Sequence, residues 1–281
     1  MKYLHLLLGA YLFFQVPASQ AKSTDWILID DFESEDAVNA WTLVDTKNET
    51  EPRVENPQIT IRRTETINGK ENAYLLKKPA AEGIVGNRKA LTFKRLPRVV
   101  EVGEVYTFYT RIQVESFPNN HAFGISNLDA EGIKQHDYNA FEPTLRVTDK
   151  TESSGLVNTG TLMVKVDGGY ENIVDPESGA DAKPLRPGQW YEIWYVVNNA
   201  PASLGGQTYD VFVRGGEFTR QTQVYRLADF RMKREAPLSH FLMNCNTGPR
   251  RAPYGNGGLM YDDLYMSAGV NLFDPKVELI Q

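Results

Sequence analysis

Gly188–Asn199 reads GQWYEIWYVVNN, opening on the turn signal Pro187-Gly188 and closing on Asn198-Asn199. Between these breakers lie residues dominated by aromatic and β-branched side chains, which suit a pleated, half-buried surface. The run is too short for a stable helix, so it is read as a strand. Period-two alternation groups Trp190, Glu192, Trp194 and Val196 on one face and Tyr191, Ile193, Tyr195 and Val197 on the other. Two largely apolar faces imply a central strand, with core on one side and a partly covered groove on the other. Trp190 and Trp194 are assigned to the core, and Tyr191 and Tyr195 to the groove.

Outward from this strand the same pattern recurs. Strands are expected at Trp26–Asp31, Trp41–Val44, Gln58–Arg63, Ala73–Lys77, Ala90–Lys94 and Val105–Val114, then at His121–Asn127, Thr144–Val147 and Thr161–Val166. Thr208–Arg214, Gln223–Arg226, His240–Asn244 and Gly258–Ser267 follow the central strand, and Asn68-Gly69 and Asp167-Gly168-Gly169 read as turns. Glu49–Pro57, the segment GIKQHDYNAFEP around His136, and Asn172–Pro187 read as connections, and Ser34–Ala40 as a helical turn. Helical periodicity is otherwise almost absent. Many short strands with regular turn clusters imply an all-β, antiparallel two-sheet sandwich.

The 281 residues begin with Lys2, an apolar run Leu4–Val16 and the small residues Ser19-Gln20-Ala21. That is the layout of a signal peptide over 1–21, with cleavage after Ala21 and a secreted or periplasmic product. Residues 22–281 are read as one domain, and no stretch is apolar enough to span a membrane. Cleavage takes one base, Lys2, and no acid, so the formal charge moves from −6 to −7. An acidic chain is a poor partner for nucleic acid. Cys245 is the single cysteine, which excludes an internal disulfide, and a buried apolar role is expected for it. The chain is expected to be a monomer.

WILIDDFES near the N-terminus, GQWYEIWYVV, and GLMYDDLYMSAGVNL near the C-terminus resemble secreted concanavalin A-like, or LamG-like, jelly rolls of bacteria. The resemblance implies two curved antiparallel sheets, adjacent terminal strands and a concave face that meets polysaccharide. It leaves open a carbohydrate-binding protein, a polysaccharide lyase for a uronic-acid-containing glycan, and a structural or adhesive surface protein. The acid-rich strand of laminarinase-like glycosidases is absent, and only fragments of the alginate-lyase strands occur, Gln135-His136 and Leu145-Arg146.

Three constellations could carry chemistry. His121, His136, Tyr138 and Arg146 supply the types a lyase needs: a cation for the carboxylate, a base for the C5 proton and an acid for the leaving oxygen. Tyr109, Arg111 and Gln113, opposite the apolar face of Val105–Val114, join Tyr191 and Tyr195 as substrate-binding candidates. If the terminal strands pair, Asp31, Glu33 and Asp262 converge and could hold a structural calcium ion. The loop Gly248–Gly258 carries Arg250, Arg251 and Tyr254 and could reach over a groove.

Overall fold

The computed structural model describes residues 25–151, 155, 157–247 and 255–275. The signal peptide over 1–21 and the loop residues Arg250, Arg251 and Tyr254 lie outside them. The strand Trp190–Asn198 is central, as its composition implies: it pairs antiparallel with Val105–Val114 on one side and Thr208–Gly215 on the other. The sheet continues outward through Phe218–Asp229 at one edge. Towards the other it passes through Leu259–Ala268 and Lys70–Lys78 to Ile59–Ile67. The second sheet runs Gly169–Asn172, Leu162–Val166, Phe141–Thr148, Asn120–Ser126, Leu238–Cys245, Ala90–Val100 and Thr42–Asp45. The strand Ile27–Asp30 pairs with Leu259–Ala268, so the terminal strands are adjacent as the resemblance implies. The architecture is the expected antiparallel β-sandwich of jelly-roll type.

Burial between the sheets decides which face of each strand is which. In Val105–Val114, Tyr106, Phe108, Ile112 and Val114 all enter the shared core. Opposite them on the next strand, Tyr191, Ile193, Tyr195 and Val197 do the same, and Tyr195 stacks on Phe108 at 5.4 Å. Tyr191 and Tyr195 therefore belong to the core and not to a groove. Trp190 and Trp194 occupy the outer face instead, where Trp194 packs edge-on against Tyr109 and Trp190 against Tyr74. Alternation paired these residues correctly but could not say which set faces inward, because both sets are aromatic.

The outer face of the second sheet carries its own apolar layer. Asp129 caps a short helix, Ala130–His136, by accepting from Gly132 N at 2.8 Å, and the turn Asp137–Ala140 completes the segment. Ile133 and Ala140 pack on Leu91, Phe93, Ala122, Phe141 and Leu242. In sequence this segment reads as a polar connection. One buried apolar residue in a seven-residue helix leaves too little periodicity to detect.

Candidate functional site

Beside that helical segment, the outer face of the second sheet opens into a cavity of about 460 Å³. Its floor takes Asn120, Arg146, Asn244 and Met163 from four neighbouring strands. Tyr170, on the edge strand Gly169–Asn172, forms one wall, and Tyr138, from the turn after the helix, forms another. Lys89 and Arg231 close the rim. Asn158 and Asn246 complete the polar lining.

Each charged group is held by a local device. Glu142 is fully buried and accepts from the amides of Met232, Lys233 and Arg234 and from Arg234 Nη1 at 3.1 Å, which gathers the loop that follows Arg231. Burial pushes the Glu142 carboxyl above its ordinary value, against the pull of those donors. Arg231 donates through Nη1 to Tyr170 Oη at 3.4 Å and through Nη2 to Asn139 Oδ1 at 3.0 Å. Its guanidinium lies 4.4 Å from the Tyr138 ring centre, and Lys89 Nζ lies 4.9 Å from it. Arg146 donates to Asn120 Oδ1 and lies 5.3 Å from the Tyr170 ring. The two tyrosine hydroxyls are hydrogen-bonded at 2.6 Å.

Electrostatically the site is a basic island in an acidic chain. Burial lowers the Lys89 amine, Asp137 opposes that, and nearby Arg231, Lys47 and Arg88 add to it. Behind the floor Lys150 donates to the carbonyl of Thr247 at 2.8 Å. Burial first, and Arg146 second, bring its amine down to about 7. Burial and the neighbouring Tyr138 hold the Tyr170 hydroxyl well above its usual range. Asn244 is 2 % exposed, and its Oδ1 has no hydrogen-bond partner among the described residues.

Of the four candidate catalytic residues, Tyr138 and Arg146 meet in this cavity. His121 borders it, but its ring alternates inward with Phe123 and Ile125, is 1 % exposed and contacts the Gly257 carbonyl through Nε2 at 2.8 Å. Burial lowers its imidazole to about 3. His136 ends the helix, exposed and outside the lining. Lys89, Asn120, Tyr170, Arg231 and Asn244 were not anticipated. They come from separate strands and loops, and in sequence each is an isolated polar residue.

Tyr109, Arg111 and Gln113 share the face that alternation assigned them, but that face belongs to the other sheet. Tyr109 donates to Glu192, and Arg111 Nη1 pairs with Asp262 at 3.2 Å and Asp263 at 3.1 Å. The groove expected along Val105–Val114 is thus an ion-paired, aromatic-packed surface, and the cavity lies on the opposite side of the sandwich.

The acidic residues do converge through the terminal strands. The Tyr265 hydroxyl is raised by burial, then by Asp263, Asp31, Asp262 and Glu33. Their oxygens already serve protein donors: Glu33 accepts from Ala73 N, and Asp262 from Arg111 and Asn72. Among the described residues no three His, Cys, Asp or Glu side chains are placed to hold a metal ion. No helix of the described residues is long and apolar enough to cross a membrane.

No protein-family model matches the chain, and no curated relative matches it in sequence. Among solved structures it is similar to peanut lectin, at 9 % identity and a TM-score of 0.45 over 83 % of this chain and 98 % of that one. It is similar to a lectin from Bauhinia forficata in complex with GalNAc, at 10 % identity and 0.44 over 88 % and 99 %. An alginate lyase from Aplysia kurodai matches at 12 % identity and 0.43 over 74 % and 87 %. The sheet topology of this chain, and not these distant likenesses, carries its fold assignment.

Proposed function

We propose that the protein is exported and binds an acidic polysaccharide, one containing uronic acids, in the cavity on the outer face of its second sheet. One observation carries this reading: Lys89, Arg146 and Arg231, from separate strands and loops, line one cavity in a chain of formal charge −6. Gathering cations against the chain's net charge costs self-repulsion, which an anionic ligand relieves. Guanidinium groups bind carboxylates through paired N–H donors, and the asparagine amides suit the remaining hydroxyls.

The experiment is retention of the purified mature chain on immobilised polyuronate and on a neutral glucan. Binding should favour the polyuronate and weaken with salt, because the cavity is open to screening ions. Arg146→Ala and Arg231→Ala should each weaken it about tenfold or more, as loss of a charge-assisted contact implies. Equal retention on the neutral glucan, or retention untouched by both substitutions, would overturn the reading. Silence on every glycan would favour a structural or adhesive role.

A further inference from the structure

We propose that two copies of this chain pair edge to edge through the strand Ile59–Ile67, joining their first sheets into one continuous sheet.

An open sheet edge is a template for another strand, and the edges of this sandwich are not alike. Gly169–Asn172 and Thr42–Asp45, at the edges of the second sheet, are four residues each, as is Ile27–Asp30 in the first. Phe218–Asp229 is long, but three register shifts break its pairing with Thr208–Gly215, and its Val224 carbonyl is already taken by Val174 N at 2.9 Å. Ile59–Ile67 is nine residues long and pairs with Lys70–Lys78 in unbroken register. The turn between them, Asn68-Gly69, has φ of 51° and 76°. That is the two-residue hairpin turn whose flanking pair, here Ile67 and Lys70, is hydrogen-bonded. Counting back, Ile59, Ile61, Arg63, Glu65 and Ile67 turn their amides and carbonyls towards Lys70–Lys78. Thr60, Arg62, Thr64 and Thr66 turn theirs outward, and among the described residues no other backbone group meets them. Arg62, opposite the core residue Leu75, donates to the carbonyls of Phe32 and Glu33 at 2.8 and 3.2 Å. Its charge is anchored within its own chain and does not guard the edge.

Charge selects the occupant. Centring an antiparallel two-fold on Thr64 sets Arg63 of each copy opposite Glu65 of the other, and Ile61 opposite Ile67. Moving the centre to Arg63 or to Glu65 opposes like charges. Moving it two residues either way leaves neither charge opposite the other. Arg63 is exposed, while Glu65 is held in place through Oε1 by Trp190 Nε1 at 2.8 Å and Asn72 Nδ2 at 3.5 Å. The edge is thus self-complementary in one register, the property that an isologous dimer requires. Residues opposite one another in a sheet lie on one face, so the two-fold runs perpendicular to the sheet. Both cavities then open to the same side, and one polymer chain can engage two of them. Edge pairing alone is a modest interface, so the dimer is expected to depend on concentration.

The test is sedimentation of the mature chain over a concentration series, beside two cysteine variants under mild oxidation. The wild type should pass from monomer to dimer as concentration rises. Thr64→Cys should form a disulfide-linked dimer, because a hydrogen-bonded antiparallel pair holds its Cα atoms about 5.5 Å apart, within disulfide reach. Thr66→Cys should not, since its two copies fall about 14 Å apart along the ladder. Cys245 is buried and does not compete. Arg63→Glu should melt like the wild type yet stay monomeric where the wild type is a dimer; if it does not fold, the contrast between the cysteine variants decides. A wild type that is monomeric at every concentration would leave the edge to a strand of another protein and overturn the proposal. So would equal linking by both cysteine variants, or a dimer that survives Arg63→Glu. Retention on polyuronate rests on the acidic-glycan reading above, and Arg63→Glu should weaken it about tenfold or more while affinity for a short oligouronate stays the same. A dimer retained on no polyuronate would overturn that reading and leave the pairing standing.

Discussion

The Arg111 guanidinium lies 4.7 Å from the centre of the Trp190 ring while its Nη1 reaches Asp262 and Asp263. Trp190 is fixed in turn by an indole hydrogen bond to Glu65 Oε1 at 2.8 Å. A residue that alternation marked as a ligand contact is thus a structural keystone of the first sheet's outer face. Arg111→Ala should destabilise the fold by about 3–5 kcal/mol, because it removes the guanidinium that pairs with two buried carboxylates. Glycan retention should be unchanged in the folded fraction. Denaturant titration beside a retention assay checks both.

His121 should make the protein acid-labile. Its imidazole titrates at about 3 in the folded state, against about 6.5 when unfolded. A base whose folded value is depressed contributes stability that is fully present above pH 6.5 and is lost as the pH falls towards 3. The loss should amount to several kcal/mol, on the order of 1.4 for each unit of difference. His121→Asn should flatten the decline in melting temperature between pH 6.5 and pH 4. A wild-type melt that holds level across that range would contradict the burial of the neutral ring.

Lys77 is fully buried between the sheets, where Nζ donates to Gln58 Oε1 at 2.9 Å and Thr92 Oγ1 at 2.7 Å. Burial lowers its amine, so the folded state binds its proton less readily than the unfolded chain does. Stability should therefore fall as the pH drops from above 10 towards neutrality. Lys77→Met keeps the volume and removes the titration. Thr60 and Thr92 still donate to Gln58 Oε1 in its absence. The variant should melt a few degrees higher at pH 7, as about 1–2 kcal/mol implies for a chain of this size, with the gap narrowing at pH 10.

Gly124 sits in the strand that supplies Asn120, and a Cβ there would meet the Pro143 carbonyl oxygen at 2.0 Å. The obstacle is backbone of the strand Phe141–Thr148, which carries Arg146, so neither side can yield without moving the cavity floor. Gly124→Ala should cost at least about 1–3 kcal/mol, as overpacking of a tight site does, and should weaken polyuronate retention in parallel. A variant that melts and binds like the wild type would show that the two strands can separate freely.

Sequence alone determined the strand content, the adjacency of the terminal strands through the resemblance, and the grouping of residues onto common faces. Tyr106, Phe108, Ile112 and Val114 share the core as their spacing requires. These properties are local: they follow from a period of two and from side chains that suit a pleated surface. Which face looks inward was decided by tertiary structure, because Tyr191 and Trp190 are both large aromatics and either parity buries apolar area. The cavity was decided there too. Lys89, Tyr138, Tyr170 and Arg231 meet only because four separate strands and loops are brought to one end of one sheet. Arg111 and Arg146 look alike as lone arginines in strands. The first finds two carboxylates across a ladder, and the second lines a cavity beside Tyr170. Strand order supplies that difference, through long-range pairings that no local pattern encodes.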